Sequence, residues 1–114
     1  MRETLVIGLD GATFDVLDPL LAAGHLPNIA DLIENGFRSP LESTYPPITG
    51  PAWTSLATGR NPGNTGAYDF LNRTDPESFD LSFIDSSYMA GRAFWDYLGE
   101  AGIDSGLLNY PMLY

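Results

Sequence analysis

One stretch of the sequence organises the rest of the chain: residues 45–59 read YPPITGPAWTSLATG. Pro46 and Pro47 fix their own φ and push the residues before them toward extended conformations, so the backbone reaches Thr49 with few alternatives. Thr49 is a good helix N-cap, and Pro51 is tolerated in the first turn because its missing N–H has no intrahelical partner. We therefore predict a helix that has Thr49 as its N-cap and ends at Gly59, the last glycine of the stretch.

The start of this helix has the properties of an anion site. Backbone N–H groups and the positive end of the helix dipole lie in front of Thr49, where they suit a phosphate group and would stabilise a threonine alkoxide. An ordinary surface helix capped by a threonine explains the same residues equally well. A second element is needed to decide between the two interpretations.

The second element is at the N-terminus, where residues 5–9 read LVIGL and are followed by Asp10 and Gly11. This short apolar run is typical of a buried parallel strand with a carboxylate at its carboxyl end, which is where ligands bind in open α/β sheets. Asp-Gly is also a common turn dipeptide, and for Asp10 taken alone the turn is the favoured interpretation.

The remaining pattern alternates between helices and strands. Apolar spacing and helix stops predict further helices around residues 17–24, 27–35 and 91–102, and strands over 37–43 and 103–109. His25, the only histidine in the sequence, lies between two of these helices and is expected to be exposed and to have no chemical role. Residues 60–90 are turn-rich and irregular. The order of elements predicts an α/β layered sheet with crossover helices.

Composition limits the partners of this chain. Its 114 residues are 44% hydrophobic and 12% aromatic, which is typical of a small globular domain or of part of a larger one. The net charge of −10 comes from fifteen acidic residues against five arginines and no lysine, which argues against binding to nucleic acid. High salt would screen such an acidic surface, so we infer a halophilic source.

Cysteine usage and the N-terminus limit its location. The sequence has no cysteine, so it offers neither a disulfide framework nor a thiolate metal site. The apolar run before Asp10 is too short for a signal peptide and far short of the roughly 20 residues that span a bilayer. We therefore expect a cytoplasmic protein that does not bind membranes.

Several blocks in a fixed order resemble a known family. They are VIGLDGATFD at residues 6–15, GHLPNI at 24–29, PPITGPAWTS at 46–55 and TGRNPG at 58–63. Together they resemble the amino-terminal part of the alkaline phosphatase superfamily, and within it the type I phosphodiesterase/nucleotide pyrophosphatase relatives, which include phosphohydrolases and phosphomutases. The resemblance runs from about Leu5 to Tyr114.

The resemblance implies a fold and a site. The fold would be an alkaline phosphatase-like layered α/β sheet with helices on both faces, of which residues 1–114 are the amino-terminal part of the catalytic domain. By this resemblance Thr49 is the nucleophile that forms a phospho-threonine, and it shares one of two divalent metal ions, zinc or manganese, with Asp10. Gly50 would bind substrate, because its N–H can face a phosphoryl oxygen and its missing side chain leaves room.

The sequence also departs from the family in two ways. Many relatives have a histidine where Thr65 stands, which puts in doubt any contribution from that position. The family's further Asp and His ligands come from motifs downstream of these residues, and one histidine cannot complete a paired metal site. We therefore expect the 114 residues to be a fragment that by itself binds divalent metal weakly and does not hydrolyse phosphoesters.

Other functions remain open at this point. Sulfatases carry Cys/Ser-x-Pro-x-Arg where this chain has Thr49 to Trp53, and neither the threonine nor the tryptophan fits that pattern. A phosphomutase could use the same phospho-enzyme step, and a non-catalytic phosphate-binding or assembly module could use the helix start without turnover. In the phosphoryl-transfer interpretations the substrate is a small-molecule phosphoester; the sequence predicts neither its identity nor the oligomeric state.

Overall fold

A computed structural model of the chain describes residues 4–88 and 91–113. The chain divides into two compact units, residues 1–41 and 42–114. The first unit contains helices α1 (Phe14–Ala22) and α2 (Pro27–Glu34). The second contains α3 (Thr49–Thr58), α4 (Pro62–Thr65), β1 (Leu71–Arg73), β2 (Leu81–Phe83), a 3-10 turn (Ser86–Tyr88) and α5 (Phe94–Glu100). Throughout the described ranges, the helices are too short and too polar to traverse a lipid bilayer.

The first unit confirms its two predicted helices. Gly24 adopts a positive φ of 74° just after α1 and so permits the sharp turn toward α2, which has a proline at its start. Arg38 pairs with Asp18 of α1 at 2.7 Å, and its guanidinium lies 3.9 Å from the centroid of the Phe14 ring. These contacts tie the segment after α2 back to α1. His25 is exposed, as predicted.

The second unit is built on a hairpin and a small core. Strands β1 and β2 pair in antiparallel fashion, with Leu71 opposite Phe83 and Arg73 opposite Leu81. Helix α3 packs against α4. The buried apolar residues are few and mostly small, and they come from distant parts of the chain: Ala57, Ala67, Ile84, Ala93 and Met112.

An aromatic cluster joins the last described segment to two helices. The ring of Tyr110 meets Trp53 of α3 edge to face, with 5.2 Å between centroids and 86° between planes. The same ring meets Trp95 of α5 at 5.1 Å and 71°. Aromatic pairs of this geometry stabilise by about 0.5–1.5 kcal/mol beyond the area they bury. Tyr110 therefore links α3 with α5.

The strand predictions for residues 5–9, 37–43 and 103–109 were wrong. All three segments are irregular and largely exposed: Leu5 is 82% exposed, Phe37 92% and Leu108 90%. An extended apolar run becomes a strand only when a neighbouring segment accepts and donates its backbone hydrogen bonds. In the described residues that pairing occurs between β1 and β2, which lie in the region predicted to be irregular and are close in sequence.

The described residues therefore do not form the predicted layered sheet. What they form is a small assembly of helices with a two-stranded antiparallel sheet, which fits part of an α/β domain. Helix α5 is also shorter than predicted at both ends. Its start is fixed where the Asp96 carboxylate accepts the N–H of Ala93 at 2.9 Å, and Gly102 follows it with a φ of 72°.

Thr54 and Ser55 are consecutive in α3, but their hydroxyls differ in hydrogen bonding, which allows a test of stability. Thr54 is fully buried, and its hydroxyl donates to the carbonyl of Gly50 at 2.8 Å. The hydroxyl oxygen of Ser55 is buried with no hydrogen-bond partner among the described residues. We expect Ser55→Ala to leave the free energy of unfolding unchanged or to raise it by up to about 1 kcal/mol, since alanine also favours a helix.

Thr54→Ala is the matched variant. It removes a buried methyl group together with a satisfied hydrogen bond, so it should lower the free energy of unfolding by about 1–3 kcal/mol. Urea unfolding followed by circular dichroism measures both variants. If Ser55→Ala lowered the free energy of unfolding as much as Thr54→Ala, the environment assigned to Ser55 would be contradicted.

Candidate functional site

Thr49 is the first residue of α3 rather than its N-cap. The N-cap is Ile48, with φ −120° and ψ 150°, and it makes no side-chain cap hydrogen bond. The helix begins one residue earlier than predicted because the N–H of Ala52 donates to the carbonyl of Ile48 at 3.0 Å. The correction leaves Thr49 in the first turn, at the positive end of the dipole of a ten-residue helix.

The far end of α3 is as predicted. Gly59 has a φ of 66°, and its N–H donates to the carbonyl of Ser55 at 2.8 Å. Near the same end, the hydroxyl of Thr58 donates to the carbonyl of Thr54 at 2.8 Å. The sequence stretch therefore forms a helix over the predicted length, closed by a glycine in the left-handed conformation.

Gly50 is buried, and the backbone of Asp69 lies close to the position where a side chain would be. A Cβ built on Gly50 would lie 3.0 Å from the backbone oxygen of Asp69 and 3.4 Å from the Cε atom of Met112. Nothing in the sequence pattern indicated either neighbour. Packing thus favours the missing side chain of Gly50, and its role in binding substrate stays a prediction.

The second turn of α3 is held through its backbone. The hydroxyl of Tyr110 donates to the carbonyl of Trp53 at 2.7 Å. Tyr110 is partly buried, and this burial raises the pKa of its hydroxyl to about 12. The phenol therefore keeps its proton, and can donate this hydrogen bond, across the whole physiological pH range.

Asp10 lies in a turn rather than at the end of a strand. Gly11 has a φ of 68° and its carbonyl accepts the N–H of Thr13 at 2.9 Å. The Asp-Gly dipeptide thus has the conformation that it favours when taken alone. Asp10 belongs to the first unit, and Thr49 and Gly50 belong to the second. The prediction that Asp10 and Thr49 share a metal ion stays a prediction.

Thr65 stands where many relatives have a histidine. Its hydroxyl makes hydrogen bonds to residues that are close in sequence. Its hydroxyl donates to the carbonyl of Pro62 at 3.4 Å and accepts the N–H of Ala67 at 3.3 Å. The side chain is 5% exposed. Thr65 therefore completes the α4 turn.

The described residues do not form a complete metal site. Among residues 4–88 and 91–113, no three or more His, Cys, Asp or Glu side chains are grouped so that they could hold a metal ion. Metal centres ordinarily need at least three protein ligands.

An open cleft of about 500 Å³ lies beside the hairpin. Its lining combines one cation, one amide and one phenol with turn residues: Gly66, Tyr68, Asn72, Arg73 and Pro76. The amide of Asn72 donates to the carbonyl of Gly66, and the guanidinium of Arg73 donates to the carbonyl of Pro76 at 3.2 Å. No sequence pattern predicts this cleft, because the lining residues follow no period and match no motif.

The contact at Gly50 predicts an unusual response to a methyl group. Ala is favoured over Gly in a helix by about 1 kcal/mol, but an added carbon at residue 50 would press on the Asp69 carbonyl at 3.0 Å. Gly99 of α5 is the matched control, because nothing lies within 4 Å of its built Cβ. Urea unfolding should show Gly99→Ala to be more stable than Gly50→Ala by about 1–3 kcal/mol. Equal free energies of unfolding for the two variants would contradict the close packing around Gly50 of α3.

The raised pKa of Tyr110 predicts a fall in stability at high pH. An unfolded tyrosine has a pKa of about 10, so between about pH 10 and 12 the unfolded chain releases a proton that folded Tyr110 keeps. The unfolded state is favoured by this release, and the free energy of unfolding falls as pH rises. Tyr110→Phe should abolish this part of the fall, as measured by urea unfolding across this range. If an ultraviolet titration of the wild-type protein showed no tyrosine that ionises near pH 12, the raised pKa of Tyr110 would be contradicted.

Comparison with known proteins identifies the family. The family model "Type I phosphodiesterase / nucleotide pyrophosphatase" matches residues 4–114, which is nearly the whole chain. No curated protein and no solved structure matches. The resemblance seen in the sequence blocks is thereby confirmed, and it is consistent with membership of the alkaline phosphatase superfamily. The chain belongs to the type I phosphodiesterase/nucleotide pyrophosphatase family.

Proposed function

We propose that the protein transfers or hydrolyses phosphoryl groups of small-molecule phosphate mono- or diesters, with Thr49 as the nucleophile. The observation that carries the proposal is the position of Thr49 at the first residue of α3 in a chain that matches the family over residues 4–114. The positive end of the helix dipole favours both an anionic phosphoryl group and a developing threonine alkoxide.

The chemistry proceeds in two displacements. In the first, the Thr49 oxygen attacks phosphorus, the Oγ–P bond forms, and the ester P–O bond breaks. The threonine proton is transferred to the departing alkoxide, which leaves as an alcohol. In the second, a water oxygen bonds to the phosphorus of the phospho-threonine and the Oγ–P bond breaks. One water proton passes to Oγ and restores the Thr49 hydroxyl, and the phosphate or phosphomonoester leaves. The Gly50 N–H would donate to a phosphoryl oxygen, where charge accumulates in both transition states.

Divalent metal ions are a general feature of this family. Zinc or manganese, when bound, would supply positive charge next to the alkoxide. We propose Asp10 and Thr49 as two of the ligands, on the strength of the sequence blocks in which they occur. Among the described residues, no cluster of three or more His, Cys, Asp or Glu side chains supplies the remaining ligands.

The charge of the chain supports a small substrate. A net charge of −10 repels the phosphate backbone of a nucleic acid over long distances, whereas a single phosphoester can be bound by local N–H groups. We therefore propose a low-molecular-weight phosphoester as the substrate.

The direct test is to trap the covalent intermediate. Full-length protein with zinc or manganese is mixed with p-nitrophenyl phosphate or bis-p-nitrophenyl phosphate and quenched in acid. Trypsin cleavage at Arg38 and Arg60 releases residues 39–60 as one peptide. Its mass and fragmentation should place the phosphoryl group on Thr49. Thr49→Ala should remove this group and lower turnover by about a thousandfold or more.

Two further variants serve as controls. Thr49→Ser keeps a hydroxyl at the helix start and should still be labelled, whereas Thr58→Ala removes a hydroxyl from the far end of the same peptide and should leave the label on Thr49. Full turnover in Thr49→Ala would exclude the nucleophile. Label that passes to an added alcohol rather than to water would indicate a phosphomutase. Substrate binding without any label would indicate a non-catalytic module.

A further inference from the structure

Residues 109–113 contact α3 at two successive turns. Met112 is buried, with its Cε atom 3.4 Å from the Cβ position of Gly50 in the first turn. Tyr110 donates its hydroxyl hydrogen bond to the carbonyl of Trp53 in the second turn, and its ring packs on the Trp53 ring. These contacts lie next to Thr49 along the helix. They involve both the backbone and the side chains of α3.

The backbone of this segment is held in an uncommon conformation. Asn109 and Met112 have φ values of 51° and 67°, in the left-handed region that residues with a Cβ rarely adopt. Each such residue costs about 1–3 kcal/mol, and the conformation persists where surrounding contacts determine it. Here the two residues flank Tyr110 and Pro111, and so direct both Tyr110 and Met112 toward α3.

The same segment connects α3 to a second helix. The Tyr110 ring meets Trp95 of α5 as well as Trp53, so one side chain touches both helices. A hydrogen bond to a helix carbonyl, combined with an edge-to-face ring contact, restricts both translation and rotation of α3. Because a helix is stiff over ten residues, fixing its first two turns also fixes the place of Thr49.

From these contacts we infer that Tyr110 is a positioning residue for the Thr49 hydroxyl, with Met112 as its support at the first turn. The inference rests on the proposed role of Thr49. Tyr110 touches neither substrate nor the reacting atoms. It acts by holding α3 where the threonine oxygen can approach phosphorus in line, and misplacement by about 1 Å can slow such a reaction by about a hundredfold.

The test compares two tyrosines that differ in their contacts with α3. Tyr110→Phe keeps the ring and removes the hydrogen bond to the Trp53 carbonyl. Tyr97→Phe removes a hydroxyl from α5, where the exposed side chain lies 4.6 Å from Arg92. With full-length protein and p-nitrophenyl phosphate, Tyr110→Phe should lower kcat and the rate of Thr49 labelling by about tenfold, with KM changed less than about twofold. Tyr97→Phe should change kcat, the labelling rate and KM by less than about twofold.

Amide hydrogen exchange supplies a readout that does not need activity. In Tyr110→Phe the amides in the first two turns of α3 should exchange faster, whereas those of α1 and α2 should not. A Tyr97→Phe variant should match wild type throughout. A general loss of stability would instead raise exchange everywhere and would leave kcat unchanged at temperatures where the variant is folded.

The outcomes separate this inference from the proposed function. If wild type forms no phospho-Thr49, the proposed function fails, and the positioning role fails with it. If wild type is labelled and Tyr110→Phe is labelled at the same rate with unchanged exchange in α3, only the positioning role is overturned. Should Tyr110→Phe not fold, Met112→Leu is the second variant. It keeps the buried volume but alters the contact with Gly50, and an unchanged kcat in it would also overturn the inference.

Discussion

The close approach of the Asp69 carbonyl to Gly50 is the constraint on which the second unit depends. A Cβ at residue 50 would lie 3.0 Å from that oxygen, so any side chain there would require the Asp69 backbone or α3 to shift by a few tenths of an ångström. In the part of the chain that the structure describes, no side-chain cap hydrogen bond forms at the start of this helix. Its start is instead held by packing against a neighbouring backbone, which is stiffer than a side chain and fixes the helix more firmly.

The contacts of Tyr110 add a second constraint on the position of α3. Its hydroxyl reaches the Trp53 carbonyl across 57 residues of sequence, and its ring joins Trp53 to Trp95. The small core of the unit, largely alanine, supplies limited hydrophobic stabilisation. The hydrogen bond and the ring contacts of Tyr110 therefore contribute much of what holds the helices of the second unit in place. A helix fixed in this way is a suitable carrier for a nucleophile, because catalysis depends on accurate placement.

The sequence predicts part of the candidate site, whereas the contacts around that site could not be predicted. The sequence blocks point to Thr49, Gly50 and Asp10; the family match confirms the resemblance, and the roles of these residues stay predictions. The N-cap was misplaced by one residue, because Ile48 and Thr49 can both precede a helix and the choice depends on a single hydrogen bond. Tyr110 and Met112 carry no motif. Their importance comes from contacts with α3 that are distant in sequence, and no local pattern records such contacts.

What the sequence by itself determined is the set of local structures. Helices α1, α2 and α3, the left-handed Gly59 and the turn at Asp10 follow from hydrogen bonds and steric preferences within a few residues. What only the tertiary structure decided is which segments pair and which surfaces touch. Residues 5–9 have the composition of a strand but are irregular, whereas β1 and β2 pair in a region with weaker signals. A helix closes its hydrogen bonds within itself, but a strand and a packed glycine each need a partner from elsewhere in the chain.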